Sequence, residues 1–119
     1  MASAFNMQEI SYALEKFAEF IHRSGSGAIP GYADTASKVI VDSLRAFERK
    51  LRAHGTPADE IDYDLGPAID AACQLQSYVT GDKTDIANRQ AARVYLGFLE
   101  ARIEELRKRE QDLDSEQRN

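Results

Sequence analysis

Apolar residues alternate at spacings of four and three along the last third of the chain, and no other feature constrains the fold as much. This spacing puts side chains on one face of an α-helix and is typical of a helix that packs along a narrow seam. We therefore predict one long C-terminal helix that begins at a cap, Asp82 or Thr84. The seam consists of Ala92, Leu96, Leu99, Ile103, Leu106, the polar Glu110 and Leu113.

A second apolar stripe runs beside the seam over residues 87–101 and then stops. Where both stripes are present we expect a wide buried face, and beyond Ile103 we expect the seam alone. The C-terminal helix should therefore project partly beyond the core, with its seam open to water, and end in a frayed tail at 114–119. The second stripe consists of Ala87, Ala91, Val94, Phe98 and Ala101.

Two further amphipathic helices are predicted in the first half of the chain. Helix 1 should cover residues 7–23, with Asn6 as its N-cap. Helix 2 should begin at a cap, Asp34 or Thr35, and end at Gly55, a residue that can adopt the left-handed conformation of a helix C-terminus. Their stripes are Ile10, Leu14, Phe17 and Ile21 in the first helix, and Ala36, Ile40, Leu44, Phe47 and Leu51 in the second.

The third helical segment contains an internal proline. Thr56 as N-cap and Pro57 at the first helical position predict a start there. Pro67 lacks an amide proton and clashes with the carbonyl four residues before it. We therefore expect a break near residues 65–67 followed by a second helix over about 67–80, with a single kinked helix as the alternative.

Together these segments predict an all-α protein, a compact bundle of four to five helices in one domain over residues 1–113. A chain of 119 residues can bury one hydrophobic core without metal or disulfide staples. No apolar run reaches 18 residues and no secretory signal is visible, so we expect neither a membrane span nor export. The lone cysteine, Cys73, cannot form an internal disulfide, which favours the reducing cytoplasm.

The negative charge is concentrated in the middle of the chain. The net charge is −5, and residues 56–88 alone carry one lysine against seven acidic residues. Binding of nucleic acid needs basic side chains for the phosphates, so this balance argues against direct nucleic-acid binding. It favours instead a protein partner with a basic surface.

A glycine-rich stretch, "SGSGAIPGYAD", raises the question of a phosphate-binding loop. A P-loop requires Lys and Ser or Thr after its last glycine, whereas Gly31 is followed by Tyr32 and Ala33. A dinucleotide fingerprint requires G-x-G-x-x-G, and here the third glycine comes one residue too late. We therefore predict that residues 24–33 form an irregular hinge that binds no nucleotide.

Two patterns resemble fragments of metal sites, and both are incomplete. Glu19 and His22 have the i,i+3 spacing of a di-iron bundle, but the other histidine, His54, has no glutamate at that spacing. Asp62 and Asp64 begin an EF-hand spacing, but the fifth position is glycine and the required glutamate is absent. We therefore predict no metal and no cofactor.

The function predicted from these observations is a noncatalytic protein–protein interaction module that acts on a partner and on itself. A homodimer should form through the open seam of the C-terminal helix, at Leu99, Ile103, Leu106 and Leu113. The alternative is that helices 1 and 2 are long enough to cover the seam within one chain. A basic partner should bind the acidic run Asp59, Glu60, Asp62 and Asp64. The alternatives are a small acidic inhibitor that occupies the nucleic-acid-binding surface of a target protein and a metal-dependent enzyme with carboxylate ligands.

Overall fold

The computed structural model describes residues 7–22, 31–81 and 86–118, and nearly all of them are helical. The all-α prediction is confirmed, with four helices in these ranges and not five. The predicted N-cap Asn6 and residues 24–30 of the predicted hinge lie outside the described residues. The helices are α1 (Met7–His22), α2 (Gly31–Ala53), α3 (Ala58–Thr80) and α4 (Ile86–Arg118).

The four helices form a closed ring in which each packs against its two neighbours in sequence order, α4 returning to α1. At one end of the bundle the rings of Phe20 in α1 and Tyr78 in α3 lie 6.1 Å apart. At the other end Lys50 in α2 forms an ion pair with Glu110 in α4 at 3.5 Å. The directions of the helices therefore alternate, as in an up-down-up-down four-helix bundle.

One hydrophobic core fills the space between the helices. The predicted stripes of α1 and α2 are buried at every position, because a helix that repeats every 3.6 residues turns those side chains to the same side. The largest fully buried side chains come from all four helices. They are Ile10, Phe17, Ile21, Ile40, Leu44, Phe47, Leu51, Ile61, Leu65, Leu75 and Leu96.

The connection between α2 and α3 is only four residues long and closes as a Schellman turn. Gly55 has a φ of 92°. Its amide donates to the carbonyl of Arg52, and the amide of Thr56 donates to the carbonyl of Leu51. The prediction that Gly55 ends helix 2 is confirmed. Helix α3 has Pro57 as its N-cap instead of the predicted Thr56, and no described side chain donates or accepts a capping hydrogen bond there.

Helix α2 starts earlier than its sequence suggests. It begins at Gly31, three residues before the predicted cap at Asp34, so residues 31–33 of the predicted hinge are helical. Ala33 is fully buried and Tyr32 packs against the core. Burial of these two side chains favours extending the helix by one turn at its N-terminal end.

Helix α3 runs through Pro67 without a break, so the predicted division into two helices is wrong and the alternative of a single helix describes it better. The proline deprives the carbonyl of Tyr63 of its usual amide donor. On the neighbouring helix, Arg102 donates a hydrogen bond at 3.1 Å to the next carbonyl, that of Asp64. The proline itself is exposed, while Leu65 is fully buried. Packing against the core and a bond from α4 thus hold the helix together at its weakest turn.

The seam of α4 is buried within the chain along its whole length, so the prediction that a monomer leaves it open to water is wrong. Leu99, Ile103, Leu106 and Leu113 are only 1–7% exposed, and Glu110 is buried with them. Helices α3 and α1 pack along α4, and Lys50 near the end of α2 reaches Glu110, so the seam is covered within one chain. The helix continues to Arg118, within the segment predicted as a frayed tail.

The second apolar stripe of α4 was predicted to be buried, but its described side chains are exposed. Val94 is 70% exposed and Phe98 is 38% exposed, and Ala91 and Ala101 are exposed as well. The side chain of Ala87 lies outside the described residues. The prediction of a wide buried face over residues 87–101 is therefore wrong, because α4 turns only its seam toward the other three helices.

Candidate functional site

The four acidic residues predicted to bind a partner lie on two different faces of α3. Asp59 and Asp62, three residues apart, are exposed to solvent. Glu60 and Asp64, four residues apart, face α4. The division follows from the helical repeat of 3.6 residues, which places i and i+3 or i+4 on one side and neighbouring positions about 100° away.

The inner pair is held by Arg109 of α4. One nitrogen of its guanidinium lies 3.3 Å from a carboxylate oxygen of Glu60, and the other is paired with the carboxylate of Asp64. Arg109 and Asp64 are both half-buried, which strengthens their attraction relative to an exposed pair. Arg102 adds its bond to the backbone of Asp64. Two of the four predicted partner-binding carboxylates are therefore engaged within the chain, where they fix the start of α3 against α4.

The outer pair flanks an exposed aromatic ring. Tyr63 is 84% exposed and shares the outer face of α3 with Asp59, four residues before it, and Asp62 beside it. Neither aspartate forms an ion pair or a hydrogen bond with a side chain in the part of the chain that the structure describes. We call these three residues, Asp59, Asp62 and Tyr63, the acidic surface.

Sequence reasoning missed both Tyr63 and Arg109. Tyr63 could have been found, because it lies two positions from the buried Ile61 and so about 200° away around the helix. Arg109 carries no comparable signal. Its pairing with Asp64 spans 45 positions and depends on the register between α3 and α4.

Many other acidic side chains in the described ranges are paired with a basic residue on the same helix. These pairs place positive charge among the carboxylates, so the negative charge along α2 and α4 is interrupted. They comprise Lys16–Glu19, Lys38–Asp34, Glu48 with Arg45 and Arg52, Arg102–Glu105 and Arg107–Glu104, at 2.9–3.9 Å.

A groove of about 880 Å³ lies between α1 and α2. Glu9, Tyr12, Lys16 and Glu19 contribute to it from α1. The pKa of Lys16 is raised, first by the charge of Glu19 and then by Tyr12, whose ring centre lies 5.4 Å from the ammonium group. Glu9 and Glu19 are ten residues apart on one helix, about 15 Å along its axis, which is too far for both to bind one ion.

Within the described ranges no three His, Cys, Asp or Glu side chains lie close enough together to hold a metal ion. Glu19, one of the two residues of the incomplete di-iron pattern, pairs with Lys16 at 3.6 Å. Cys73 is half-buried and carries a free thiol.

Among the described helices none combines the length and the apolar character needed to cross a bilayer.

Compared with protein-family models, curated proteins and solved structures, the chain matches none of them. Its function is therefore inferred from the arrangement of its own side chains.

Proposed function

We propose that this chain is a noncatalytic protein-interaction module and that its acidic surface binds a partner with a basic surface. The observation that carries the proposal is Tyr63, a large aromatic side chain that is 84% exposed and lies beside two carboxylates without ion-pair partners in the described chain. Tyrosine is enriched among the residues that dominate protein interfaces. A partner's Arg or Lys can pair with Asp59 or Asp62 and pack its cation over the Tyr63 ring.

The support beneath the acidic surface suits it for binding. Arg109 and Arg102 hold the same two helical turns from the inner side. A surface that is already rigid loses little conformational entropy when a partner binds, so more of the contact energy appears as affinity. A helix also holds three side chains in more precise relative positions than a loop does.

The uneven charge of the chain adds long-range attraction. Residues 56–88 carry one lysine and seven acidic residues. Such a segment steers an oppositely charged partner toward it and speeds association, an effect that salt reduces. We also propose that the protein acts in the cytoplasm, where its single free thiol would remain reduced.

The test compares two double variants with the same change in charge. Asp59→Lys with Asp62→Lys alters the acidic surface, and Glu15→Lys with Asp42→Lys alters exposed acids on α1 and α2. Each immobilised chain is used to retain proteins from the native host. We expect a protein that the unchanged chain and the control retain, that the Asp59/Asp62 variant loses, and whose association with the chain slows as salt rises.

Two outcomes would count against the proposal. One is a set of retained proteins that is the same for both double variants, and the other is an association rate that does not respond to salt. If the retained protein binds nucleic acid, competition between this chain and that nucleic acid tests whether the module acts as an inhibitor.

A further inference from the structure

The exposed stripe of α4 forms an apolar surface that no described helix covers. We call Ala91, Val94, Phe98 and Ala101 the outer face of α4. Beside it the chain forms a shallow depression of about 250 Å³ between α3 and α4. The depression is lined by Pro67, Asp70, Ala71, Val94, Tyr95 and Phe98.

The outer face is symmetric about its own centre. Ala91 and Ala101 are equally far from residue 96, and so are Val94 and Phe98. An antiparallel helix with the same sequence would therefore place its Phe98 against Val94 and its Ala101 against Ala91. The two large residues would pack at the centre, and the small residues at both ends would let the backbones approach closely.

The charges of α4 are opposite on the two sides of the same centre. Before the centre, Arg93 is exposed on one flank of the outer face, and residues 86–96 contain no acidic residue. After the centre, Glu100 and Glu104 are exposed on the same flank, and Glu104 is also paired with Arg107 at 3.0 Å. An antiparallel second copy brings Arg93 of one helix close to Glu100 of the other. A parallel copy would bring like charges together.

We propose that the outer face of α4 binds the outer face of a second copy of this chain, antiparallel and around a two-fold axis near residue 96. This goes beyond the proposed function, because it uses a different surface from Asp59, Asp62 and Tyr63. It also differs from the interface predicted through Leu99, Ile103, Leu106 and Leu113, which are buried within one chain.

The size of the bundle allows such a contact. Its extents are 52, 27 and 20 Å, so the side formed by α3 and α4 offers enough area for a standard interface of about 800 Å² per partner. The apolar centre is short, and the rim is charged. The dimer should therefore form in the micromolar range and dissociate on dilution.

The first test is the mass in solution by sedimentation equilibrium. The mass should rise from 13.3 kDa toward twice that value as the concentration increases through the micromolar range. Val94→Glu should keep the chain monomeric, since it places a charge at the centre of the apolar contact. Tyr12→Glu, at a comparably exposed position on α1, should leave the dimer intact. Circular dichroism confirms that both variants fold.

The second test determines the direction of the two helices. Gln90 and Glu104 are exposed on the same side of the stripe, two heptads apart, and the antiparallel pairing brings Gln90 close to Glu104 of the second copy. Gln90→Arg should therefore tighten the dimer about threefold, and Gln90→Glu should loosen it by about the same factor.

Three outcomes would overturn the proposal. They are a mass that stays at 13.3 kDa at high micromolar concentration, a dimer that survives Val94→Glu, and a shift in the same direction for both Gln90 variants. None of them bears on the acidic surface, which Asp59→Lys with Asp62→Lys tests separately.

Discussion

The guanidinium of Arg109, near the end of α4, is paired with the carboxylate of Asp64 in the second turn of α3. The pair joins positions 45 residues apart, and Arg102 binds the backbone carbonyl of the same aspartate. Asp64 is thus held through its side chain and its main chain, one turn before the proline at which α3 is weakest. The two contacts support α3 near that turn and engage Asp64 within the chain, while Asp59 and Asp62 remain exposed.

Removing Arg109 should destabilise the bundle. We expect Arg109→Ala to lower the free energy of unfolding by about 1–2 kcal/mol, because it leaves the half-buried Asp64 carboxylate without its ion-pair partner. Arg109→Lys should recover part of this loss, since an ammonium lacks the fork that reaches two carboxylates. Urea unfolding of Arg109→Ala, Asp64→Ala and the double variant measures the coupling. Additive effects would show that the pair contributes nothing.

Two glycine substitutions should change stability in opposite directions. Gly66 lies inside α3, and apart from its chain neighbours a Cβ added there meets nothing within 4 Å, so Gly66→Ala should stabilise the chain. The gain should stay below about 0.5 kcal/mol, because the ring of the following Pro67 disfavours a helical residue with a Cβ before it. Gly55 has a φ of 92°, and Gly55→Ala should cost about 1–2 kcal/mol. Thermal unfolding of both variants checks the prediction. A loss of stability in Gly66→Ala would mean that the turn before Pro67 depends on the flexibility of glycine.

The buried seam of α4 should respond to substitution as a core does. We expect Leu106→Ala to cost about 2–5 kcal/mol and Ile103→Asp with Leu106→Asp to unfold the chain. On the outer face, Val94→Ala should change the stability by less than about 0.5 kcal/mol. Unfolding in urea at a concentration where the chain is monomeric separates folding from association. A folded, monomeric Ile103/Leu106 double variant would contradict the burial of the seam.

Two buried serines of α2 provide a matched comparison. The hydroxyl of Ser43 is fully buried and has no hydrogen-bond partner among the described residues, whereas that of Ser37 donates to the carbonyl of Asp34 at 2.8 Å. Ser43→Ala should raise the free energy of unfolding by about 1 kcal/mol, through relief of an unpaired polar group and better helix propensity. Ser37→Ala should gain less, because it also loses a bond. Equal effects of the two substitutions would argue against the unpaired state of Ser43.

The helices themselves could be predicted from local patterns. The stripe of α1, from Ile10 to Ile21, is buried because periodicity alone places it on one side. The end of α2 was also predictable, since the positive φ at Gly55 is a local property of glycine after a helix. Of the candidate site, the outward direction of Asp59 and Asp62 follows from their position relative to the buried Ile61.

Other features depend on which helix lies beside which. The sequence of α4 contains two apolar stripes, and only the packing of α4 against α1 and α3 decided that Leu106 is covered and Val94 is exposed. The same packing places Arg102 and Arg109 beside Asp64, and it keeps α3 helical through Pro67. Periodicity determines which side chains share a face of one helix. The choice of the face that enters the core depends on contacts between segments far apart in sequence, and only the tertiary structure contains them.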